Sequence, residues 1–270
     1  MKSADLSWFG LRTAPFSKEI EDDDLWLPAS KVLLVDELAS AIEAHATVVL
    51  TGEPGVGKTC VLRALRKRLS PDSYRLTYCH NATLGRRDFY RQLCLALGLT
   101  PSATAASVFY AVSTHVEELG KERVHPVFLL DEAHLLHQDV LDHLHILLNY
   151  QWDSRALLSL VLVGLPELEN QLERRRNRSL YSRIHHRYAI QDASCDDVAQ
   201  YVAHRLALAG TDHSLFAQDA IALIHENATG ALRDIDRLAH GAMRDAARRK
   251  RKAVDRDAVE RVLAGRIPIN

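Results

Sequence analysis

The amino-acid sequence predicts an α/β fold in which helices flank a parallel sheet, followed by an all-helical C-terminal part. Three observations predict it. Short apolar segments alternate with longer segments of helical periodicity through the first two thirds of the chain. Several of the short segments are apolar throughout, which is typical of parallel strands buried on both faces. After residue 194 the short apolar segments stop, and four helical segments follow one another.

The strands are predicted from these short segments. Residues 47–50 and 127–130 have the composition of buried strands, whereas residues 74–79 alternate apolar and polar side chains. In chain order, strands are predicted at 47–50, 74–79, 127–130, 157–163 and 188–190. Because helical segments separate them, the strands are expected to form one parallel sheet.

The helices are predicted from apolar residues that recur every three or four positions. Gly98 and Gly120 follow two of these segments and serve as stop signals, and Ser194 is the expected N-cap of the first C-terminal helix. Helices of the α/β part are predicted at 32–44, 60–69, 86–98, 102–119, 135–150 and 166–176. Helices of the C-terminal part are predicted at 196–209, 216–227, 231–248 and 255–264.

This order divides the chain into residues 1–30, 31–192 and 193–270. The first is predicted to be an irregular arm, because two proline-containing segments flank the acidic residues 19–24. Its aromatic side chains are expected to pack on the main body. Trp26, with Leu27 and Pro28, either forms a wall of an adenine pocket or serves packing alone.

The composition of the chain is typical of a globular protein without membrane-spanning segments. Of 270 residues, 47% are hydrophobic, which is enough for a sizeable core, and the formal net charge of −1 gives no overall signal for nucleic acid. The four cysteines are widely spaced, which is typical of reduced thiols in a cytoplasmic protein. No apolar run approaches the ~20 residues needed to span a membrane, so a membrane partner is not expected.

Residues 52–59 carry the strongest motif, G-x-x-x-x-G-K-[ST], between a predicted strand and a predicted helix. Its glycines let backbone N–H groups surround phosphate oxygens, and the following helix adds its positive N-terminal end. Lys58 is placed to reach the β- and γ-phosphates, and the Thr59 hydroxyl to bind Mg²⁺. The predicted ATP-binding residues are Gly52, Glu53, Pro54, Gly55, Val56, Gly57, Lys58, Thr59 and Cys60.

Two carboxylates follow the apolar strand at 127–130. Asp131 is predicted to hold Mg²⁺ through water, and Glu132 to orient and polarise the water that attacks the γ-phosphate. Asp131, Glu132, Ala133 and His134 also spell a helicase signature, but such helicases carry two tandem lobes and this chain has room for one. ATP hydrolysis is therefore the predicted chemistry.

Hydrolysis also needs positive charge near the phosphates, often from an arginine of a neighbouring subunit. Arg183 and Arg233 are the predicted catalytic arginines, and Arg233 is also a predicted nucleotide ligand. The arginines at 174–178 are interpreted mainly as a solvated basic face.

Together these motifs resemble the AAA+ ATPases. The P-loop, Asp131-Glu132, Ser182-Arg183 and Gly230-x-x-Arg233 carry the resemblance, which covers about residues 30–265. It implies a P-loop AAA+ core, a parallel sheet flanked by helices, and a C-terminal all-α lid subdomain. It also implies that Arg183 is an arginine finger acting on a neighbouring subunit and that Arg233 is the sensor-2 arginine.

A narrower resemblance is to the ExeA/TniB/TnsC group, which includes helper ATPases of DNA transposition. Residues 9–16, the Asp-Glu-Ala-His run at 131–134 and residues 161–168 carry it. One departure is Leu165, which stands where the group often has a polar, sensor-1-like residue. This departure predicts weak γ-phosphate sensing by that strand and slow hydrolysis.

The narrower resemblance implies ATP-dependent self-assembly on double-stranded DNA, as a ring or helical filament, and recruitment or activation of a transposase, with a target-selection protein as a further partner. The predicted DNA contacts are Thr83, Arg86, Arg87 and Arg91, for which a solvated helix face is an equal alternative. The basic run at 248–252 is a second candidate for DNA contact, or a solvated turn.

Alternative functions are an ExeA-type secretion ATPase and a DNA-coating scaffold with slow hydrolysis. A small-molecule kinase is disfavoured by the helical lid.

Overall fold

A computed structural model describes residues 3–79, 84–100, 104–151, 154–211 and 213–265. Two compact units make up the chain. The helical unit comprises residues 1–31, 54–60 and 191–270, and the sheet unit comprises residues 32–53 and 61–190. Most of the P-loop therefore belongs to the same unit as the predicted arm and the predicted lid.

Five strands and twelve α-helices are present in the described residues. In chain order they are α1 (Ser3–Phe9), α2 (Ala29–Glu43), β1 (Thr47–Thr51), α3 (Lys58–Arg68), β2 (Tyr74–Cys79), α4 (Arg86–Ala96), α5 (Ala105–Lys121), β3 (His125–Leu130), α6 (Gln138–Leu144), β4 (Ser159–Gly164), α7 (Glu167–Leu172), α8 (Arg178–Tyr181), β5 (Ile184–Ala189), α9 (Cys195–Leu208), α10 (Gln218–Ala228), α11 (Leu232–Arg248) and α12 (Arg256–Leu263). Short 3-10 helices cover Asp22–Asp24, Ala133–Leu135 and Arg175–Asn177. None of the helices in the described ranges is long and apolar enough to cross a membrane.

The sheet confirms the predicted parallel arrangement. Its order is β2-β3-β4-β1-β5, and every neighbouring pair is parallel. Every residue of β1, β3 and β4 is buried, as expected for central strands covered on both faces. Because all strands point the same way, their carboxyl ends lie along one edge, here called the carboxyl edge, and their first residues lie along the amino edge.

Four element predictions in the sheet unit are wrong at their boundaries. The helix expected at 166–176 is α7, which ends at Leu172 and is followed by a 3-10 turn. The helix expected at 135–150 is a 3-10 turn followed by α6, which ends at Leu144. The last strand begins at Ile184 rather than 188, because β5 lies at the edge of the sheet and exposes polar residues that give no apolar signal. Helix α5 continues through Gly120, where a Cβ would lie 3.3 Å from Leu157 Cδ2, so this glycine permits close packing.

The expected irregular arm contains a helix, α1. Phe9 and Phe16 are buried in the core of the helical unit, and the Trp26 ring lies 5.6 Å from that of Tyr201. Buried Arg205 donates from Nε to the Pro15 carbonyl (2.6 Å). Aromatic packing and a buried guanidinium thus hold the arm on the helical unit.

The helices of the helical unit begin and connect as their sequences favour. Ser194 caps α9 in a capping box with Asp197, which confirms the predicted N-cap. Gly230 has a φ of +76°, and a Cβ there would lie 2.6 Å from the Ala193 nitrogen, so no larger residue fits before α11. Buried Asp245 accepts hydrogen bonds from Arg249 (3.1 Å) and Arg261 (2.7 Å), linking α11 to α12.

Candidate nucleotide-binding site

Within the helical unit, the P-loop lies against the start of α11. Gly55 and Gly57 have φ values of +85° and +105°, the left-handed region that favours glycine. The Leu232 N–H donates to the Gly55 carbonyl (3.0 Å), and a Cβ on Gly55 would lie 3.3 Å from Arg233 Cβ. The structure therefore brings the predicted Arg233 beside the phosphate-binding loop.

Lys31 is a site residue that the motifs did not indicate. Its side chain is 2% exposed, and Nζ donates to the Val56 carbonyl (2.7 Å). Burial lowers the pKa of Lys31, while Asp192 and Asp197 favour its charged form. The bond fixes the direction of a P-loop carbonyl, and no sequence pattern relates a lysine in α2 to a loop 25 positions later.

The remaining P-loop residues suit a nucleotide. Helix α3 begins at Lys58, so its first N–H groups follow Gly57 directly. The Lys58 side chain is buried, Thr59 is exposed, and Cys60 is half-buried. Backbone donors, an ammonium group and a hydroxyl are what a magnesium-bound triphosphate requires, so these residues fit ATP with Mg²⁺.

At the carboxyl edge, Asp131 follows β3. Its side chain is 7% exposed, and each carboxylate oxygen accepts a hydrogen bond: Oδ1 from the Glu132 N–H (2.9 Å) and Oδ2 from the Tyr78 hydroxyl (2.6 Å). The motif Gly52–Thr59 begins at this same edge, directly after β1. An oriented carboxylate is the ligand type that Mg²⁺ prefers.

Glu132 has an unusual backbone. Its φ of 54° and ψ of 35° are left-handed, which costs about 1–2 kcal/mol for a residue other than glycine. The side chain remains 48% exposed, and Oε2 lies 3.6 Å from His134 Nδ1. Five other described residues besides the glycines share a positive φ, so Glu132 is distinguished by its place directly after Asp131 at the carboxyl edge.

His134 joins the end of β3 to the end of β4. Its Nδ1 accepts from the Leu165 N–H (3.3 Å), which places the ring proton on Nε2. A Cβ on Gly164 would lie 3.2 Å from the His134 nitrogen, so the glycine permits this approach. Although Leu165 lacks a polar side chain, its backbone thereby orients a polar ring near Glu132.

Comparisons with known proteins identify what parts of the chain are similar to. Residues 42–172 match the family model described as AAA domain. The chain is 32% identical over 247 residues to General secretion pathway protein A of Aeromonas hydrophila, covering 87% of this chain and 44% of the relative. It therefore spans less than half the length of this curated relative.

The chain is also similar in fold to solved structures. The Aeropyrum pernix Orc1 protein in complex with DNA is 20% identical, with a TM-score of 0.66 over 94% of this chain and 69% of that one. Drosophila ORC bound to DNA is 20% identical, with a TM-score of 0.69 over 98% of this chain and 66% of that one. The chain has the AAA+ P-loop fold. The predicted fold class is thus confirmed, and the narrower resemblance to transposition helper ATPases stays a prediction.

On this AAA+ scaffold, the predicted arginine finger lies just before β5. Arg183 is half-buried, and Nη1 donates to the Ser179 carbonyl (3.0 Å). Burial of His145, and then the nearby charge of Arg183, lower the pKa of His145. Arg176, by contrast, forms a bidentate pair with Asp142 and holds the pKa of that carboxyl below its usual range, so it fixes the arginine-rich loop on α6.

The predicted DNA contacts separate into groups. Thr83 lies outside the described residues. Arg87 and Arg91 are exposed one turn apart on α4, whereas Arg86 donates to His143 Nε2 (2.7 Å), whose Nδ1 donates to a carbonyl of α6. In the basic run, Lys252 packs its ammonium 4.2 Å from the Trp8 ring, which ties part of that run to α1.

A cavity of about 930 Å³ lies elsewhere, within the helical unit. Helices α9 and α10 supply mainly apolar lining residues, including Val202, Leu206 and Ile221. None of the predicted site residues lines it.

Proposed function

We propose that this AAA+ protein hydrolyses ATP to ADP and phosphate. The observation that carries the proposal lies within the sheet unit: β1 and β3 end at the same edge, β1 directly before the P-loop motif and β3 directly before Asp131 and Glu132. The match of residues 42–172 to the AAA domain family supports it.

The residues divide the chemistry among them. The P-loop N–H groups and Lys58 would bind the phosphates, and Thr59 and Asp131 would hold Mg²⁺, Asp131 through water. Mg²⁺, when bound, neutralises charge on the phosphates. Glu132 accepts a proton from water as the water oxygen bonds to the γ-phosphorus, and the bond to the bridging oxygen of ADP breaks. Arg233 and the neighbouring copy's Arg183 stabilise the negative charge.

We further propose that ATP-bound copies assemble on double-stranded DNA, as a ring or helical filament, and regulate transposition by recruiting or activating a transposase. The DNA-bound state of two structural neighbours supports the DNA partner. Arg87 and Arg91 suit phosphate contacts, because both residues are exposed and lie one turn apart on the same helix.

A second candidate function is favoured by a separate observation. The similarity to General secretion pathway protein A covers 87% of this chain, which supports an ExeA-type secretion ATPase. In that role ATP would drive self-assembly without duplex DNA. A DNA-coating scaffold with slow hydrolysis is a third form, and it is consistent with Leu165 at the end of β4.

The proposal is tested by electron microscopy and DNA binding with a non-hydrolysable ATP analogue. We expect ordered assemblies only with both analogue and duplex, and none for Lys58→Ala. Replacing Arg87 and Arg91 with glutamine should lower the salt slope of binding by about one unit per lost phosphate contact.

The matched control replaces Arg237 and Arg256, exposed arginines that pair with carboxylates of their own helices (3.0 and 2.9 Å). Assemblies that form with nucleotide alone, indifferent to DNA, would favour the secretion role. An unchanged salt slope would remove Arg87 and Arg91 from the DNA contacts.

A further inference from the structure

Tyr78 stands beside the predicted magnesium ligand. It lies in β2, where it pairs with Leu129 of β3, two residues before Asp131. Its hydroxyl donates to Asp131 Oδ2 at 2.6 Å, within the range of a charge-assisted O–H···O⁻ bond. Nothing in the P-loop or carboxylate motifs calls for a tyrosine at this position.

The bond completes the orientation of the carboxylate. The Glu132 N–H holds Oδ1, and the Tyr78 hydroxyl holds Oδ2, so rotation of the group would break both contacts. A carboxylate offers about four lone-pair positions, and these two donors leave others for magnesium-bound water. Because Asp131 is 7% exposed, bulk water is poorly placed to replace the phenol.

The phenol is suited to a permanent donor role. A tyrosine hydroxyl, with an ordinary pKa of about 10, keeps its proton throughout the neutral range and can donate at every neutral pH. Tyr78 is 46% exposed, so it does not belong to the buried core of the sheet unit.

We propose that Tyr78 is a positioning residue for the magnesium site, whose hydroxyl holds Asp131 in the orientation that accepts from magnesium-bound water. This inference rests on the proposed ATPase function. Without the hydroxyl, Asp131 would keep one of its two fixed contacts and would have to be ordered when Mg²⁺ binds. The apparent affinity for Mg²⁺ would fall, while metal-free nucleotide binding would not change.

Tyr78→Phe tests this with a fluorescent ATP analogue titrated at increasing Mg²⁺. We expect the half-saturating Mg²⁺ concentration to rise about three- to tenfold, the range of one net hydrogen bond, with unchanged affinity in EDTA. Tyr74→Phe is the matched control, because Tyr74 lies in the same strand but contacts His125 at the amino edge. It should leave the Mg²⁺ dependence unchanged.

A double-mutant cycle separates positioning from structure. If Tyr78 acts through Asp131, Tyr78→Phe should cause no further change in Mg²⁺ dependence in an Asp131→Asn background. A Tyr78→Phe protein with a lower melting temperature but wild-type Mg²⁺ dependence would overturn the inference alone. A wild-type protein that binds no nucleotide would overturn the proposed function, and this inference with it.

Discussion

The two ends of the β2–β3 pair carry similar residues in different environments. At the amino edge, Tyr74 packs edge-on to His125, and at the carboxyl edge Tyr78 donates to Asp131. His125 and Asp131 are both almost completely buried, 8% and 7% exposed. The difference lies in the surrounding groups.

At the amino edge the polar group is enclosed by its own neighbours. The His125 ring stacks on His45 at 4.0 Å, and its Nε2 bonds to the Ser159 hydroxyl at 2.9 Å. Burial, and then the neighbouring His45, lower the pKa of His125 to about 4, so the ring is neutral.

At the carboxyl edge, donors surround an acceptor that keeps lone pairs for a ligand, and the next residue has a strained backbone and an exposed carboxylate. Burial of a polar group therefore does not by itself indicate function. What distinguishes the two edges is the hydrogen-bonding capacity that remains directed outward.

Removal of the Glu132 carboxylate at the carboxyl edge should lower the rate of ATP hydrolysis more than any of the following substitutions. Glu132→Gln removes the group that accepts the proton from water, so turnover should fall by about 10²- to 10⁴-fold while ATP binding is retained. Phosphate release and nucleotide binding measure the two quantities. Glu169→Gln is the control, because Glu169 accepts from Thr51 at the same edge (2.9 Å) and glutamine can still accept. Equal losses in both variants would contradict the assignment.

The next effect concerns the amino edge and pH. His125 has a folded-state pKa of about 4 against an ordinary value of 6.5, so between these values the unfolded chain binds the proton and the folded chain does not. Stability should therefore decrease as pH falls from about 6.5 towards 4, by up to about 3 kcal/mol. Denaturant unfolding at several pH values measures this.

His125→Asn should flatten that pH dependence, whereas His186→Asn, which changes an exposed ring of β5, should not. If the wild-type slope persists in His125→Asn, another group controls the acid limb.

A smaller change in turnover is expected for substitutions of His134, which connects the end of β3 to the end of β4. In His134→Asn, the amide oxygen can replace Nδ1 as acceptor for the Leu165 N–H, whereas in His134→Gln the amide lies further out, near the Nε2 position. We expect turnover close to wild type for asparagine and a loss of about three- to tenfold for glutamine. The reverse order would show that Nε2, rather than the contact with Leu165, is the important atom.

Sequence patterns predicted the central strands and the P-loop, and they missed features that depend on neighbours in space. Strands β1, β3 and β4 are covered on both faces, so their apolar composition was visible directly. Strand β5 has a single neighbouring strand and exposes polar residues, so its start was misplaced. The prediction of one helix at 135–150 was wrong because some apolar residues of this segment lie in turns and others in α6, and both groups pack into the same core.

Periodicity and motif spacing are local properties, so the α/β class, the parallel sheet, the C-terminal helices and the phosphate-binding motif could be predicted from the residues alone. Three contacts are visible only in the folded chain: Lys31 holds the Val56 carbonyl, Tyr78 holds Asp131, and His134 accepts from the Leu165 N–H. Each of these contacts joins residues 25 to 53 positions apart. The chain can place such side chains only after the strands have paired and the helices have packed, so no local pattern encodes them.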